Sequence, residues 1–129
     1  MSQLIITIDG PAASGKSTIA RLLAARLDAA FLDTGAMYRA ATLAAMEDGA
    51  DMTDQQRILD VLDDTVFLFK ATADGMLVQI DGVDATVQIR EPQVTANAHY
   101  VACIAPARQR LVDMQLQFAK SYERIVTDC

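Results

Sequence analysis

Nothing in this sequence constrains the fold as tightly as Gly10-Pro11-Ala12-Ala13-Ser14-Gly15-Lys16-Ser17-Thr18, which satisfies G-x-x-x-x-G-K-[ST] and directly follows the apolar run Leu4–Ile8. A strand, a glycine-rich loop and a helix start, in that order, make a phosphate-binding loop. Glycines at 10 and 15 allow backbone angles and close approaches that a Cβ would block, so successive N–H groups converge on phosphate oxygens at a helix N-terminus. Gly10, Ala12, Ala13, Ser14, Gly15, Lys16, Ser17 and Thr18 then form the cradle, Lys16 reaches the β- and γ-phosphates, and the Ser17 hydroxyl holds Mg²⁺. The bland alternative, a glycine-rich turn with a solvated lysine, leaves the strand before it and the helix after it unexplained.

The pattern along the chain is α/β. Leu4–Ile8 is nearly continuous and β-branched, which predicts a strand buried on both faces of a parallel sheet. A helix follows from about Gly15 to Leu27, with Ile19, Leu22, Leu23 and Leu27 as its inner face. Ala30–Leu32 reads as a second strand, and Asp33-Thr34-Gly35 offers N-cap oxygens to a helix from about Ala36 to Glu47 that Asp48-Gly49 stops. Thr53-Asp54-Gln55-Gln56 reads as a capping box for a third helix, with Ile58, Leu59 and Leu62 inside.

The texture then changes. Thr65–Lys70 and Met76–Ile80 are strand-like runs separated by a segment ending in Asp74-Gly75, and Asp81-Gly82 leads into Val83–Ala85, which predicts a small antiparallel insert over residues 64–86. Pro92 and Pro106 each open a further helix, the second running to about Tyr122 with a stripe of Leu111, Met114, Phe118 and Tyr122. Ile125–Thr127 is the last strand.

With 52% hydrophobic residues in a chain of 129, one domain with a real core is expected. The formal charge of −6 argues against a general nucleic-acid surface, so any anion site must be built locally, from residues such as Lys16, Arg39 and Arg108. The start, Met1-Ser2-Gln3 and five largely apolar residues before Asp9, has neither the basic region of a signal peptide nor the length of a membrane span, so a cytoplasmic protein without a membrane partner is expected. Cys103 and Cys129 have no C-x-x-C spacing or His-rich neighbour, which points to free thiols rather than a disulfide or zinc site. His99, the single histidine, reads as a packed or surface residue rather than a catalytic one.

A second constellation, Leu32-Asp33-Thr34-Gly35-Ala36-Met37-Tyr38-Arg39, falls at the carboxyl edge of the expected sheet, where open α/β sheets bind ligands. Helical spacing puts Gly35 and Arg39 on one face. An arginine, a helix N-terminus and the Thr34 hydroxyl could therefore converge on a second anion. Residue types alone leave open the other reading, a capped helix with a surface arginine.

Ile8–Thr18 followed at this distance by Leu32–Arg39 resembles bacterial cytidylate kinase. The antiparallel insert, the segment Asp84–Arg90 that closes it, and Val101-Ala102-Cys103 through Arg108 extend the resemblance over essentially the whole chain. It implies a P-loop nucleoside monophosphate kinase-like parallel sheet, incomplete here, with a core of residues 1–50 and 104–129 and an acceptor-nucleotide region of 51–103 that includes the insert. The implied activity is ATP- and Mg²⁺-dependent phosphorylation of CMP or dCMP. Lys16 and Arg39 would act on the phosphates, and Asp33, Thr34, Gly35, Tyr38, Arg39 and Arg108 would line the acceptor site; for Arg108 an ordinary solvated position is the alternative.

The sequence departs from the family pattern in two places. His99-Tyr100 stands where the family usually has Ser-Gln, which bears on base preference. Cys129 stands at the glycine of a Gly-Arg-Asp motif that leads, in the family, to two more core strands and an arginine-bearing lid. These departures set the expectation of nucleotide binding with impaired turnover, an uncovered edge on Leu4–Ile8, and a homodimer through that edge. Two rival readings are another P-loop small-metabolite kinase and an inactive nucleotide-binding or assembly module. A GTPase is disfavoured because no Asn-Lys-x-Asp or Asp-x-x-Gly segment occurs.

Overall fold

A computed structural model describes residues 3–10, 15–73 and 75–128. Pro11, Ala12, Ala13 and Ser14 of the glycine-rich loop, Asp74 and Cys129 lie outside the described residues. The element order is β1 (Leu4–Ile8), α1 (Lys16–Leu27), β2 (Ala30–Leu32), α2 (Thr34–Asp48), α3 (Gln55–Asp64), β3 (Phe67–Thr72), β4 (Gly75–Ile80), β5 (Val83–Asp84), a 3₁₀ turn (Gln88–Arg90), α4 (Pro92–Ala102), α5 (Ala105–Ala119) and β6 (Arg124–Asp128).

Two sheets result, as the α/β pattern with an insert requires. The first is parallel in the order β1-β6-β2, with Ile8 opposite Asp128 and Leu32 opposite Thr127. The second is the antiparallel set β3-β4-β5, with Phe69 opposite Val78 and Ile80 opposite Val83. Along β4 the side chains alternate, burying Met76, Val78 and Ile80 in the same core as the alanine-rich face of α2. Ala36, Ala40, Ala41, Ala44 and Ala45 carry little side chain, which allows neighbouring elements to approach α2 closely. Met37, Ile58, Val78, Ile89, Val94 and Leu111 are fully buried in that main core. A smaller cluster of Ala20, Ala24, Phe31 and Val126 joins α1 to the parallel sheet.

Four sequence expectations need correction. β1 is not buried on both faces: Ile6 and Ile8 pack in the cluster beneath α1, while Leu4 and Ile5 are 47% and 52% exposed. A continuous apolar run shows that a strand tolerates two covered faces; how many are covered depends on its neighbours, and among the described residues β1 pairs only with β6. On α1 the expected stripe is rotated. Ala20 and Ala24 make the close contact, flanked by Leu23 and Leu27, and this turns Ile19 and Leu22 outward. Small residues win the inner positions because they bring the helix axis nearer the sheet.

The third correction is the cap of α3. The Asp54 carboxylate accepts from the Arg57 backbone N–H at 3.1 Å, whereas the Thr53 hydroxyl donates to Asp51 at 2.7 Å, so the cap sits one residue later than a Thr53 capping box. Finally, α5 stops at Ala119, and Tyr122 lies beyond it. Its ring packs on Phe118 at 4.8 Å, and its hydroxyl accepts from the Ala71 backbone N–H at 2.9 Å, tying β3 of the insert to the end of α5. Replacing Asp54 with Ala is expected to destabilise the chain by about 1 kcal/mol in urea unfolding, the usual cost of a lost N-cap. Thr53→Ala should cost clearly less, and the reverse order would reinstate the capping box.

Candidate functional site

The carboxyl ends of β2 and β6 lie side by side, and two threonines fasten them together. The Thr127 hydroxyl donates to the Leu32 carbonyl at 3.0 Å, and the Thr34 hydroxyl donates to the Asp128 carbonyl at 3.2 Å. Against this edge stands the N-terminus of α1. Its N-cap, Gly15, has φ 82° in the left-handed region, and open space surrounds the position of an added Cβ. The demand for glycine there is therefore conformational rather than steric. One turn into α1 the Ser17 hydroxyl donates to the Asp128 carboxylate at 2.7 Å, joining residues 111 apart in sequence.

A cleft of about 340 Å³ opens beside this contact, walled by the loop-bearing end of α1, the start of α2, the β3–β4 hairpin and the end of the 3₁₀ turn. Asp33, at its floor, is only 7% exposed and serves two structures at once. Its Oδ1 accepts from the Ala36 backbone N–H at 2.9 Å and caps α2. Its Oδ2 accepts from Arg90 Nη2 at 2.7 Å, and Arg39 Nη2 lies 3.7 Å from the same oxygen. An added Cβ at Gly35 would come within 3.0 Å of Arg39 Nη1, so the glycine lets the guanidinium lie across the first turn of α2.

Three arginines (Arg21, Arg39 and Arg90) and two carboxylates (Asp33 and Asp128) line this cleft, an excess of positive charge in a chain whose formal charge is −6. Burial, and then the neighbouring Arg90, push the Arg39 pKa below its ordinary value, while Asp33 and Asp128 oppose the shift. Arg39 Nε and Asp128 Oδ1 are both buried without a hydrogen-bond partner among the described residues. Each is a polar atom that a ligand or ion in the cleft could satisfy. A larger cavity of about 450 Å³ adjoins the far side of Arg21. Its walls are largely alanines with Phe31 and Tyr122, and it gathers no second cationic group.

The sequence-predicted residues therefore separate into two groups. Ser17, Asp33, Gly35 and Arg39 line the cleft, and Thr34 stands at its edge as a tie to β6. Lys16 opens α1 and is half-buried, and Thr18 follows exposed on the same turn; Gly10 sits just past β1. Ala12, Ala13 and Ser14 lie outside the described residues. Tyr38 packs partly buried against the main core and does not line the cleft. Arg108 is exposed and donates to the Ala102 carbonyl at 2.8 Å, capping the last turn of α4 away from the cleft. His99 is likewise exposed, its ring tilted against that of Tyr100 with centroids 4.0 Å apart.

Sequence reasoning missed Asp128, Arg90 and Arg21 as cleft residues. Asp128 had a readable signal, an acid directly ending the apolar strand Ile125–Thr127 at the carboxyl edge where open α/β sheets bind ligands. Arg90 had none, because its partner Asp33 lies 57 residues away.

A family model described as cytidylate kinase matches residues 6–129. The cytidylate kinase of Streptococcus suis is 43% identical over 122 residues, covering 94% of this chain and 54% of that protein. The cytidylate kinase of Lactobacillus gasseri is 37% identical over 121 residues, covering 94% and 53%. That of Caldicellulosiruptor saccharolyticus is 43% identical over 120 residues, covering 93% and 53%. The chain thus spans about half the length of the curated relatives it matches. No helix among the described residues is long and apolar enough to cross a membrane.

The double engagement of Asp33 makes its substitutions informative. Asp33→Ala removes both the cap of α2 and the carboxylate shared by two arginines, and should cost about 2 kcal/mol, about 1 from the cap and the rest from the partly exposed ion pairs. Asp33→Asn keeps a capping oxygen and should lose roughly half as much in thermal or urea unfolding. Equal losses for the two variants would show that only the charge matters.

Proposed function

The chain belongs to the cytidylate kinase family, and from that premise we propose that its cleft is the acceptor side of an ATP-dependent phosphotransferase acting on CMP or dCMP. The observation that carries this reading is the meeting of the two sequence constellations. Ser17 of the phosphate-binding loop and the Asp33–Arg39 turn face one cleft at the carboxyl edge of a parallel sheet. A donor triphosphate cradled at the N-terminus of α1 and a monophosphate held by Arg39 would thus lie across the cleft from each other.

The metal that the family implies suits the donor set. Asp128 carries a buried oxygen without a partner among the described residues, and its other oxygen receives the Ser17 hydroxyl. One carboxylate with one hydroxyl fits Mg²⁺, which keeps several waters and takes few protein ligands. The described residues hold no group of three or more His, Cys, Asp or Glu side chains placed to bind a metal. When bound, Mg²⁺ neutralises charge on the β- and γ-phosphates.

The work left to the protein is positioning and charge compensation. A monophosphate has a second pKa near 6 and is largely dianionic at neutral pH, so the attacking oxygen needs no general base. Arg39 holds that oxygen's phosphate, and Lys16 reaches the donor's outer phosphates. Thr34, engaged with the Asp128 carbonyl, keeps the α2 turn aligned with β6. In the family an arginine-bearing lid completes the charge neutralisation, and arginines placed in this way are worth about 10³ to 10⁵ in rate.

Calorimetry on the purified chain checks these roles. Lys16→Ala should weaken Mg·ATP binding tenfold or more and spare CMP, and Arg39→Ala should do the reverse. Tighter binding of AMP or shikimate than CMP would refute the acceptor assignment.

The exposed Leu4 and Ile5 on a strand with one partner among the described residues supply the motive for the remaining proposal, a dimer in which β1 of two copies meets edge to edge. Light scattering at micromolar concentration should give twice the chain mass, and a monomer would refute it.

A further inference from the structure

We propose that the free edge of β3 pairs antiparallel with β3 of a second copy of this chain about a two-fold axis at Leu68, joining two three-stranded inserts into one six-stranded sheet. This contact is separate from the β1 dimer proposed above and does not depend on what the cleft binds.

Three hydrogen bonds fix which backbone groups β3 offers. The Asp81 N–H donates to the Val66 carbonyl at 2.8 Å, which extends the β3–β4 register by one residue. Hydrogen-bonded pairs alternate along an antiparallel ladder, so Val66, Leu68 and Lys70 turn their backbone groups toward β4, and Phe67, Phe69 and Ala71 turn theirs away. The other two bonds agree. Val78, opposite Phe69, accepts the Ala85 N–H at 2.9 Å on the β5 side, and the Ala71 N–H leaves the sheet for the Tyr122 hydroxyl at 2.9 Å. The N–H and C=O groups of Phe67 and Phe69 have no hydrogen-bond partner among the described residues. A groove of about 280 Å³, lined by Phe67, Phe69, Met114 and Phe118, runs along this edge between β3 and α5.

The occupied Ala71 N–H selects the register. A two-fold centred on Phe69 would set Phe67 opposite Ala71 and require the proton that Tyr122 already receives. Centred on Leu68, Phe67 of each copy lies opposite Phe69 of the other. Each of these two pairs exchanges two hydrogen bonds, which uses all four free groups and no occupied one. The outer-face side chains then match. Leu68, 47% exposed, meets Leu68 of the second copy, and Val66, 70% exposed, meets the stem of Lys70. Asp81 of the second copy stands one strand spacing of about 4.8 Å beyond its Val66, within reach of the Lys70 ammonium. Lys70 is the single cation of β3 in a chain of formal charge −6, and the two-fold pairs it with an acid twice. A contact built on one strand is small, so it forms at high protein concentration.

A lysine on an edge strand also serves to prevent pairing, and the two roles predict opposite effects of removing it. Amide hydrogen exchange is measured from micromolar to millimolar protein. Exchange at Phe67 and Phe69 should slow severalfold with concentration, while Ala71, held by Tyr122 in either state, stays unchanged. Lys70→Ala should weaken the concentration dependence. Register is read by air oxidation of cysteine variants in a Cys103→Ser, Cys129→Ser background. Non-hydrogen-bonded antiparallel pairs bring Cβ atoms close enough for a disulfide. Leu68→Cys should therefore cross-link about tenfold faster than Val66→Cys or Lys70→Cys alone, and a mixture of the last two should cross-link faster than either.

All these positions except Phe67 and Phe69, which are not substituted, are exposed, so the variants keep the fold. Both measurements are repeated with Ile5→Lys, which opposes the β1 pairing, so the two contacts stand or fall separately. Exchange at Phe67 and Phe69 that ignores concentration overturns the pairing. So does stronger association of Lys70→Ala, which would make Lys70 a guard on the edge. Faster cross-linking of Val66→Cys than of Leu68→Cys overturns the register.

Discussion

The site depends on the insertion of β6 between β1 and β2. Those two early strands do not pair with each other; each pairs in parallel with a strand more than ninety residues further on. Only that arrangement sets Asp128 beside Ser17 and brings the Thr34 hydroxyl to the Asp128 carbonyl. Parallel pairing over such separations has to close long loops before its contacts stabilise the chain. The glycine-rich motif is legible in nine residues, but the edge that Ser17 meets exists only once the last strand is in place.

Asp33 links stability to chemistry in a second way. Removing a carboxylate this buried from water is unfavourable unless both oxygens are engaged, and here one caps α2 while the other faces two arginines. Helix formation, with Asp33 as its N-cap, therefore aims the cationic groups. Gly35 completes the arrangement, since a Cβ there would press to 3.0 Å on the Arg39 guanidinium, which would have to give by a few tenths of an ångström. Conversely, the depressed pKa of Arg39 reflects the cost of holding a guanidinium partly buried near another.

What could be read from the sequence divides along a physical line. Features fixed by neighbours in the chain were legible: the left-handed Gly15 opening α1, the Asp33 cap, the stop of α2 at Gly49 with φ 79°, and the alternation that makes β3 and β4 a hairpin. Features fixed by distant partners were not. The apolar positions of α1 do not say that Ala20 and Ala24, rather than Ile19 and Leu22, meet the sheet, because contact distance favours the smaller residues. Arg108 looked like a second anion ligand in an acidic chain, yet its reach is satisfied by the Ala102 carbonyl. Arg90 looked ordinary until the insert folded back and set it against Asp33.

Burial is uneven across the molecule, and the unevenness separates the two walls of the cleft. The α2 wall rests on the main core, where Met37, Val78, Ile89 and Val94 are fully buried. The α1 wall rests on a four-residue cluster, and Leu4, Ile5, Ile19 and Leu22 remain exposed around it. Local opening is easiest where few apolar side chains are removed from water. The α2 wall is therefore the more firmly held of the two, and the Ser17–Asp128 contact ties the less buried wall to the sheet.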